Sequence, residues 1–130
     1  GRFEKLVEPA DLSVRFDPGQ LHQVVRNLAE NALHHSGEDE KIQLHGGIRT
    51  ETQRPYLDVI DRGSGVSAEV AEQIFEPFYT TRGDGTGLGL YIAKELCEAN
   101  RASLNLLASD QGCRFRITFA DPRRQGGVAQ

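Results

Sequence analysis

Apolar positions recur along the chain with two periods, and the changes between them predict the order of the elements. Alternation in LSVRF, residues 12–16, predicts a half-buried strand. From Gln20 to His35 the apolar residues recur every three or four positions, as in an amphipathic helix: Leu21, Val24, Val25, Leu28, Ala32 and Leu33. Asp17 is placed to cap this helix, and Pro18 suits its first turn.

The rest of the chain predicts two pairs of strands and two further helices. The strands are expected at 41–50 with 54–62, and at 102–109 with 113–120. A short helix is expected at 67–75 and a longer one from Gly89 to Ala99, while the Gly- and Thr-rich stretch 76–86 predicts an irregular loop. This order predicts a mixed sheet that is covered by helices on one face.

Composition narrows the class of protein. A chain of 130 residues is long enough for one domain with a real core, expected at 1–121, and residues 122–130 are expected to form a disordered tail. The net charge of -4 argues against a dedicated nucleic-acid binder. Cys97 and Cys113 have no metal-binding spacing and are interpreted as reduced, buried thiols of a cytosolic protein.

Membrane and export signals are not apparent in the sequence. No apolar run approaches the length needed to span a bilayer, and no signal peptide begins at Gly1. The abrupt start suggests a piece excised from a longer protein. We therefore expect a cytoplasmic domain whose parent protein could be anchored in the inner membrane.

Glycine is concentrated where the last predicted helix begins. Gly83, Gly85, Gly87 and Gly89 fall within seven residues. Because glycine at this density costs backbone entropy, the stretch is either a loose surface loop or a place where backbone N–H groups approach an anion at a helix N-terminus. A Walker loop is excluded because no Lys follows these glycines, and a dinucleotide fingerprint fails because Leu90 replaces its third glycine.

Two polar clusters precede the glycine stretch. Asn27 and Asn31 lie one turn apart on the first predicted helix, and amide oxygens suit Mg²⁺, although the pair could equally be two solvated amides. Asp61, Gly63 and Gly65 follow an apolar strand. A carboxylate there can accept a hydrogen bond from an exocyclic amine while the glycines admit a flat ring, but an ordinary strand-to-helix turn has the same composition.

Three aromatic residues stand between these clusters and the glycine stretch. They are Phe75, Phe78 and Tyr79, in the sequence IFEPFYTTR. Aromatic residues at such places are more often packed in the core than in contact with a ligand. We therefore interpret Phe75 and Phe78 as anchors of the loop.

The order of these pieces resembles the catalytic and ATP-binding domain of bacterial sensor histidine kinases, in the GHKL group with DNA gyrase and the mismatch-repair ATPases. NLAENALHHS resembles the N box of that family, DRGSG its first glycine box, FEPFYTT its F box and GTGLGL its second glycine box. The resemblance extends from about Asp17 to Phe119. It implies an α/β (α+β) two-layer sandwich, with a mixed, mostly antiparallel sheet and about three helices on one face. PFYTTR also resembles the nitrogen-regulation and pilin-regulation subgroup.

The resemblance implies roles for individual residues. Asn31 would bind Mg²⁺, Asn27 would support the metal and the phosphates, and both would be catalytic. Asp61 would accept a hydrogen bond from the adenine amino group. His34 would lie near the phosphates and His35 against the nucleotide, although either could equally be solvated at the helix end. The other implied ATP-binding residues are Gly63, Gly65, Thr80, Thr81, Arg82, Gly85, Thr86, Gly87, Leu88, Gly89 and Leu90.

Two features depart from the family pattern. Cys113 stands where a Thr commonly follows the glycine of the last hairpin, and a thiol is a poor hydrogen-bond partner for a water beneath adenine. The segment 79–84, which would form a mobile lid that opens to exchange ADP, is short for the family.

The implied function is that of a protein-histidine kinase catalytic domain. It would bind Mg-ATP and transfer the γ-phosphoryl to a histidine on a separate dimerisation domain of the same parent, which in turn serves a response regulator. Asn27 replaces the Glu that activates water in the hydrolysing relatives, so hydrolysis should be slow. In that family the histidine that accepts the phosphoryl group is followed by an acidic residue on a dimerisation helix, and no histidine of this chain is followed by an acidic residue. The alternatives are an anti-sigma-factor-type serine kinase and a nucleotide-binding pseudokinase, and the isolated domain is expected to be a monomer.

Overall fold

Five strands and three helices are present in the described part of the chain, which comprises residues 3–8, 14–35, 41–63, 67–79, 87–107 and 112–121 of a computed structural model. The elements are β1 (Phe3–Val7), α1 (Pro18–His35), β2 (Ile42–Ile48), β3 (Pro55–Ile60), α2 (Ala68–Gln73), α3 (Gly89–Ala99), β4 (Ser103–Leu107) and β5 (Arg114–Thr118). The helices and the four strands from β2 to β5 occupy the segments that the periodicity predicts.

The strands form one mixed sheet in the order β1-β2-β3-β5-β4. β1 is parallel to β2, and the other three pairs are antiparallel. β2 with β3 and β4 with β5 are the two predicted pairs, and β3 lies against β5 in the middle of the sheet. The prediction of a mixed, mostly antiparallel sheet is confirmed.

The hydrophobic core lies between one face of this sheet and the helices. Its buried residues come from α1, α3 and alternate positions of the strands: Val24, Leu28, Ala32, Ile42, Val59, Ala93, Cys97, Leu104, Phe115 and Ile117. Burying one large apolar side chain contributes about 1.5–3 kcal/mol, so this layer accounts for most of the stabilisation. The apolar stripe of α1 faces the core as its spacing predicts.

The prediction of a strand at 12–16 is wrong for residues 14–16, which form no strand, while residues 12 and 13 lie outside the described residues. Val14 and Phe16 nevertheless pack against the core, and the Phe16 ring meets the Phe119 ring edge-on at 5.8 Å. Their alternation therefore reflects the burial of an irregular segment. The first strand is instead β1, an exposed edge strand without a clear alternating pattern.

The ends of α1 and α3 are held by local hydrogen bonds. Oδ2 of Asp17 accepts a bond from the N–H of Gln20 at 2.9 Å, which confirms Asp17 as the cap of α1. At the end of α3, the N–H of Asn100 donates to the carbonyl of Cys97. The chain then reverses at Arg101, which has a φ of 60°.

The face of the sheet turned away from the helices carries a buried carboxylate. Asp58 is fully buried and alternates with Leu57 and Val59, which face the helices. Its carboxylate accepts hydrogen bonds from Nε of Arg114 at 2.8 Å and from Nε of Arg116 at 2.7 Å. We call Asp58, Arg114 and Arg116 the Asp58 cluster. Its hydrogen bonds satisfy the buried charge on the face that is turned away from the described helices.

The sequence also led to predictions about membrane-spanning segments and about the C-terminal tail. No helix within the described ranges combines the length and the apolar character that crossing a membrane requires. The predicted tail, 122–130, lies outside the described residues, so the domain boundary near 121 stays a prediction.

Candidate nucleotide site

The first turn of α3 lies against the Asn pair of α1. Nδ2 of Asn27 donates a hydrogen bond to the carbonyl of Gly89 at 3.0 Å, across 62 positions of sequence. At the opposite ends of the two helices, the N–H of Asp17 donates to Oδ1 of Asn100 at 2.9 Å. The helices are therefore antiparallel, and the predicted N box and second glycine box meet at the N-terminal end of α3.

Asn31 lies one turn beyond Asn27 and contains an unsatisfied donor. Its Nδ2 is buried and makes no hydrogen bond in the described structure. A buried amide N–H without a hydrogen-bond partner is costly. The nitrogen and the oxygen of an Asn side chain are told apart by their hydrogen-bond partners, so this amide can also be placed the other way round. The half-buried carboxamide of Asn31 therefore suits a partner from outside the chain. If Nδ2 faces outward, that partner would be an oxygen acceptor, and if the oxygen faces outward, it would be a cation.

The donor set near Asn31 fits Mg²⁺ held jointly with phosphates. Within the described ranges no group of three or more His, Cys, Asp or Glu side chains is placed to hold a metal ion. Mg²⁺ does not need such a cage, because it commonly takes one or two protein oxygens and completes its shell with phosphate oxygens and water. The side-chain oxygen of Asn31 would be such a protein ligand.

Asp61 is held in place by backbone hydrogen bonds from two different segments. Its Oδ1 accepts from the N–H of Gly63 at 2.9 Å and from the N–H of Cys113 at 3.3 Å, and its own N–H donates to the carbonyl of Cys113 at 2.9 Å. The side chain is 1% exposed. Every described hydrogen bond of the carboxylate falls on Oδ1, so Oδ2 is the atom that an exocyclic amine would contact.

Gly112 is a residue of the site that the sequence did not single out. Its φ is +70°, and a Cβ at this position would lie 2.1 Å from the carbonyl oxygen of Asp61. Only glycine permits both this backbone conformation and this close approach. The signal in the sequence was a glycine between two strands, which also describes many ordinary hairpin turns.

Both cysteines are free and buried, as predicted. Burial raises the pKa of the Cys113 thiol to about 11, and the charge of Asp61 acts in the same direction. Burial likewise raises the pKa of the Cys97 thiol to about 12, with opposing and smaller effects from Lys94 and Glu98. Both thiols are therefore protonated, and unreactive, at neutral pH.

The F box is anchored by one of the two aromatic residues that were predicted to do so. Phe75 packs edge-on against Phe115 with the ring centres 5.9 Å apart, and Nζ of Lys94 lies 5.1 Å from the centre of the Phe75 ring. The prediction for Phe78 is wrong, because its side chain is 74% exposed.

Phe78 instead joins the F box to the second glycine box through its backbone. Its N–H donates to the carbonyl of Gly87 at 2.7 Å, and the φ of Phe78 is 68°. Gly87 has a φ of +76°, and a Cβ there would lie 2.3 Å from the carbonyl carbon of Phe78. This backbone contact joins the two residues that flank the segment 79–86, of which residues 80–86 lie outside the described residues.

Gly89 differs from Gly87 and Gly112, because no described neighbour requires a glycine at its position. It lies in the first turn of α3, and a Cβ there would meet no atom of the described residues within 4 Å. Alanine would therefore fit the space and would favour the helix.

The structure describes some of the remaining residues of the predicted site and leaves others outside the described ranges. His34 is exposed at the end of α1, Leu88 precedes the first residue of α3, and Leu90 packs against the core. The predicted roles of the following residues lie outside what the structure describes: the side chain of His35, and Gly65, Thr80, Thr81, Arg82, Gly85 and Thr86.

Comparisons with known proteins agree with the fold and identify the family. The family model of the histidine kinase-, DNA gyrase B-, and HSP90-like ATPases matches residues 16–123. The sensor protein kinase PilS of Pseudomonas aeruginosa is 44% identical over 119 residues, which cover 88% of this chain and 22% of that protein. The sensor histidine kinase ZraS of Salmonella typhimurium is 34% identical over 113 residues, or 86% of this chain and 24% of that one.

Solved structures show the same architecture. The catalytic domain of the histidine kinase ThkA aligns with a TM-score of 0.81 and 30% identity, over 92% of this chain and 78% of that one. Full-length ShkA in complex with AMPPNP aligns with a TM-score of 0.78 and 28% identity, over 91% of this chain and 25% of that one. The match over residues 16–123 and this shared fold show that the chain belongs to the family of histidine kinase-, DNA gyrase B- and HSP90-like ATPases.

Proposed function

We propose that this chain is the catalytic domain of a sensor histidine kinase, which binds Mg-ATP and transfers the γ-phosphoryl to a histidine on a dimerisation domain of the same parent. The similarity to PilS and ZraS supports this assignment. The chain spans 22% and 24% of those proteins, so a separate acceptor domain and a response regulator are attributed to the parent. The domain would act in the cytoplasm, on ATP that it exchanges for ADP.

Within the part of the chain that the structure describes, nothing requires a glycine at position 89, and this observation carries the proposal. A glycine in a helix costs about 0.5–1 kcal/mol relative to alanine. The backbones of Gly87 and Gly112 require glycine, whereas that of Gly89 does not. Gly89 lies at the N-terminal end of α3 and contacts Asn27. A phosphate that approaches the helix N-terminus, with its free N–H groups and positive dipole end, accounts for a glycine there.

The geometry supports one orientation of the nucleotide. Asp61 would bind the adenine amino group through Oδ2, and the phosphates would lie at the first turn of α3, near Asn27 and Asn31. Guanine presents a carbonyl where adenine has its amine, so two acceptors would face each other and GTP would bind less well. Mg²⁺ would be held by Asn31 and would neutralise charge on the triphosphate. Roles for His34, His35 and the other predicted contacts stay predictions.

The residues of this chain would bind and orient ATP, and the nucleophile would come from another domain. Nδ2 of Asn27 is engaged with Gly89, and an amide has no basic lone pair with which to activate water, so hydrolysis would be slow. A ring nitrogen of the acceptor histidine would form a bond to the γ-phosphorus while the bond to the bridging oxygen breaks. ADP would leave with that electron pair, and the imidazole proton would pass to solvent.

Gly89→Ala should weaken Mg-ATP binding by about tenfold or more while the free energy of unfolding stays equal or rises by about 0.5–1 kcal/mol. The added methyl group would occupy the space where a phosphate approaches. Calorimetry and urea titration measure the two quantities. Gly19→Ala, where a Cβ would make only an ordinary contact of 3.5 Å with Asp17, is the matched control and should leave affinity unchanged. Unchanged Mg-ATP affinity in Gly89→Ala would contradict the phosphate position.

Radiolabelled ATP should not label this chain alone, but should label the dimerisation domain of its parent when the two are mixed. The expected product is a phosphohistidine, which is labile in acid and stable in base. Asn31→Ala should abolish the transfer while the circular dichroism spectrum stays unchanged. Phosphoserine on a separate protein would favour the serine-kinase alternative, and tight ATP binding without any transfer would favour the pseudokinase.

A further inference from the structure

Asn100 holds α3 against α1 at the end opposite the candidate phosphate site. Its Oδ1 accepts from the N–H of Asp17 at 2.9 Å, and its Nδ2 donates to Oε1 of Gln20 and to the carbonyl of Leu96, each at 2.8 Å. One side chain thus bonds to the start of α1 and to the last turn of α3. We call this set of three hydrogen bonds the Asn100 clasp.

Another polar contact between the two helices lies at the N-terminal end of α3, where Nδ2 of Asn27 donates to the carbonyl of Gly89. One hydrogen bond fixes a point but leaves the helix free to swivel and to slide, whereas two separated contacts fix its direction and axial position. α3 has 11 residues and is therefore about 16 Å long, so the two contacts are well separated. Apolar packing between the helices restricts swivelling and sliding of α3 less than hydrogen bonds do, because the hydrophobic effect has no preferred direction.

We propose that Asn100 is a positioning residue for the phosphate end of the nucleotide site, and that it acts by setting the direction in which the first turn of α3 points. This inference rests on the proposed function. Asn100 itself would contact neither the nucleotide nor the metal. Its effect reaches the phosphates along a rigid helix, because the N–H groups that would face them belong to the same helix whose last turn it holds.

The adenine end of the site should be independent of the clasp. Asp61 is held by Gly63 and Cys113, and none of the three belongs to α1 or α3. A loss of α3 alignment should therefore weaken binding of the triphosphate while leaving binding of the base unchanged. A loss of stability alone would lower the affinity for both ligands by the same factor, since only the folded fraction would change.

Asn100→Ala should lower the affinity of the 130-residue chain for Mg-ATP by about fivefold to tenfold and leave its affinity for adenosine unchanged. Calorimetry measures the first, and competition against a fluorescent adenine nucleotide measures the second. Ile42→Val, a small loss of core volume in β2, is the control for stability and should change neither affinity. An equal change for both ligands in Asn100→Ala, or no change for either, overturns the proposal.

Two further variants keep the test decisive. Gln20→Ala removes one arm of the clasp and should give a smaller loss that is again confined to Mg-ATP; if Asn100→Ala does not fold, an unchanged ratio of the two affinities in Gln20→Ala overturns the proposal. Asn100→Asp keeps the acceptor for Asp17 but places an oxygen where Nδ2 donates to two acceptors, so its loss should be at least as large as that of Asn100→Ala. Failure of the unsubstituted chain to bind Mg-ATP would instead refute the proposed function.

Discussion

Asp58→Ala should lower the free energy of unfolding by about 3 kcal/mol, which is a large share of the stability of a domain of this size. The carboxylate is fully buried and receives hydrogen bonds from Arg114 and Arg116. Its removal leaves two guanidinium groups side by side without the charge that balances them. Because the arginine side chains are 35% and 14% exposed, water recovers part of the loss, and we place the effect at the lower end of the range for broken buried pairs.

Urea titration of the free energy of unfolding measures this effect, and Glu51→Ala is its matched control. Glu51 forms an ion pair with Arg49 at 3.2 Å, but its side chain is 67% exposed and that of Arg49 is 40% exposed, so its removal should leave stability nearly unchanged. A loss in Asp58→Ala no larger than that in Glu51→Ala would show that the Asp58 cluster is not a stabilising element. Mg-ATP affinity of the folded Asp58→Ala protein should be unchanged, since the cluster lies on the opposite face from α1 and α3.

Gly112→Ala should lower the free energy of unfolding by at least about 2 kcal/mol and should also remove the preference for ATP over GTP. A methyl group would lie 2.1 Å from the carbonyl oxygen of Asp61, and the positive φ disfavours any side chain. The backbone of one strand end must move away from the other. That movement breaks the hydrogen bonds between Asp61 and Cys113 that orient the carboxylate.

The two effects of Gly112→Ala are separable by measurement. Urea titration gives the stability, and calorimetry with ATP and GTP at a temperature where the variant is folded gives the selectivity. Gly19→Ala, where a Cβ would make only an ordinary contact of 3.5 Å with Asp17, is the control for the change from glycine to alanine. Retention of full ATP selectivity in Gly112→Ala would contradict the assignment of Asp61 as the adenine-binding residue.

Helices α1 and α3 and the two antiparallel pairs were predictable because each depends on a local pattern. Apolar residues spaced by three or four positions can bury one face only as a helix, and the start of α3 coincides with the predicted Gly89. The order of the boxes was equally readable, because each is a short contiguous string. Local patterns failed at Val14 and Phe16, whose burial in an irregular segment has the same alternation as a strand.

The sequence alone determined which residues are polar or glycine within each box, and hence that Asn27, Asp61 and Gly89 were candidates for one site. Only the tertiary structure decided which of them meet and what their neighbours are. The contact of Asn27 with Gly89 spans 62 positions, and the two arginines that neutralise Asp58 lie 56 and 58 positions away. The physical reason is that periodicity reports whether a side chain faces water or the core, whereas a hydrogen bond between distant segments depends on the path of the whole chain. Asn100 likewise bonds to Asp17 across 83 positions, and Gly112 lies close to the backbone of Asp61, so the sequence around either residue showed nothing unusual.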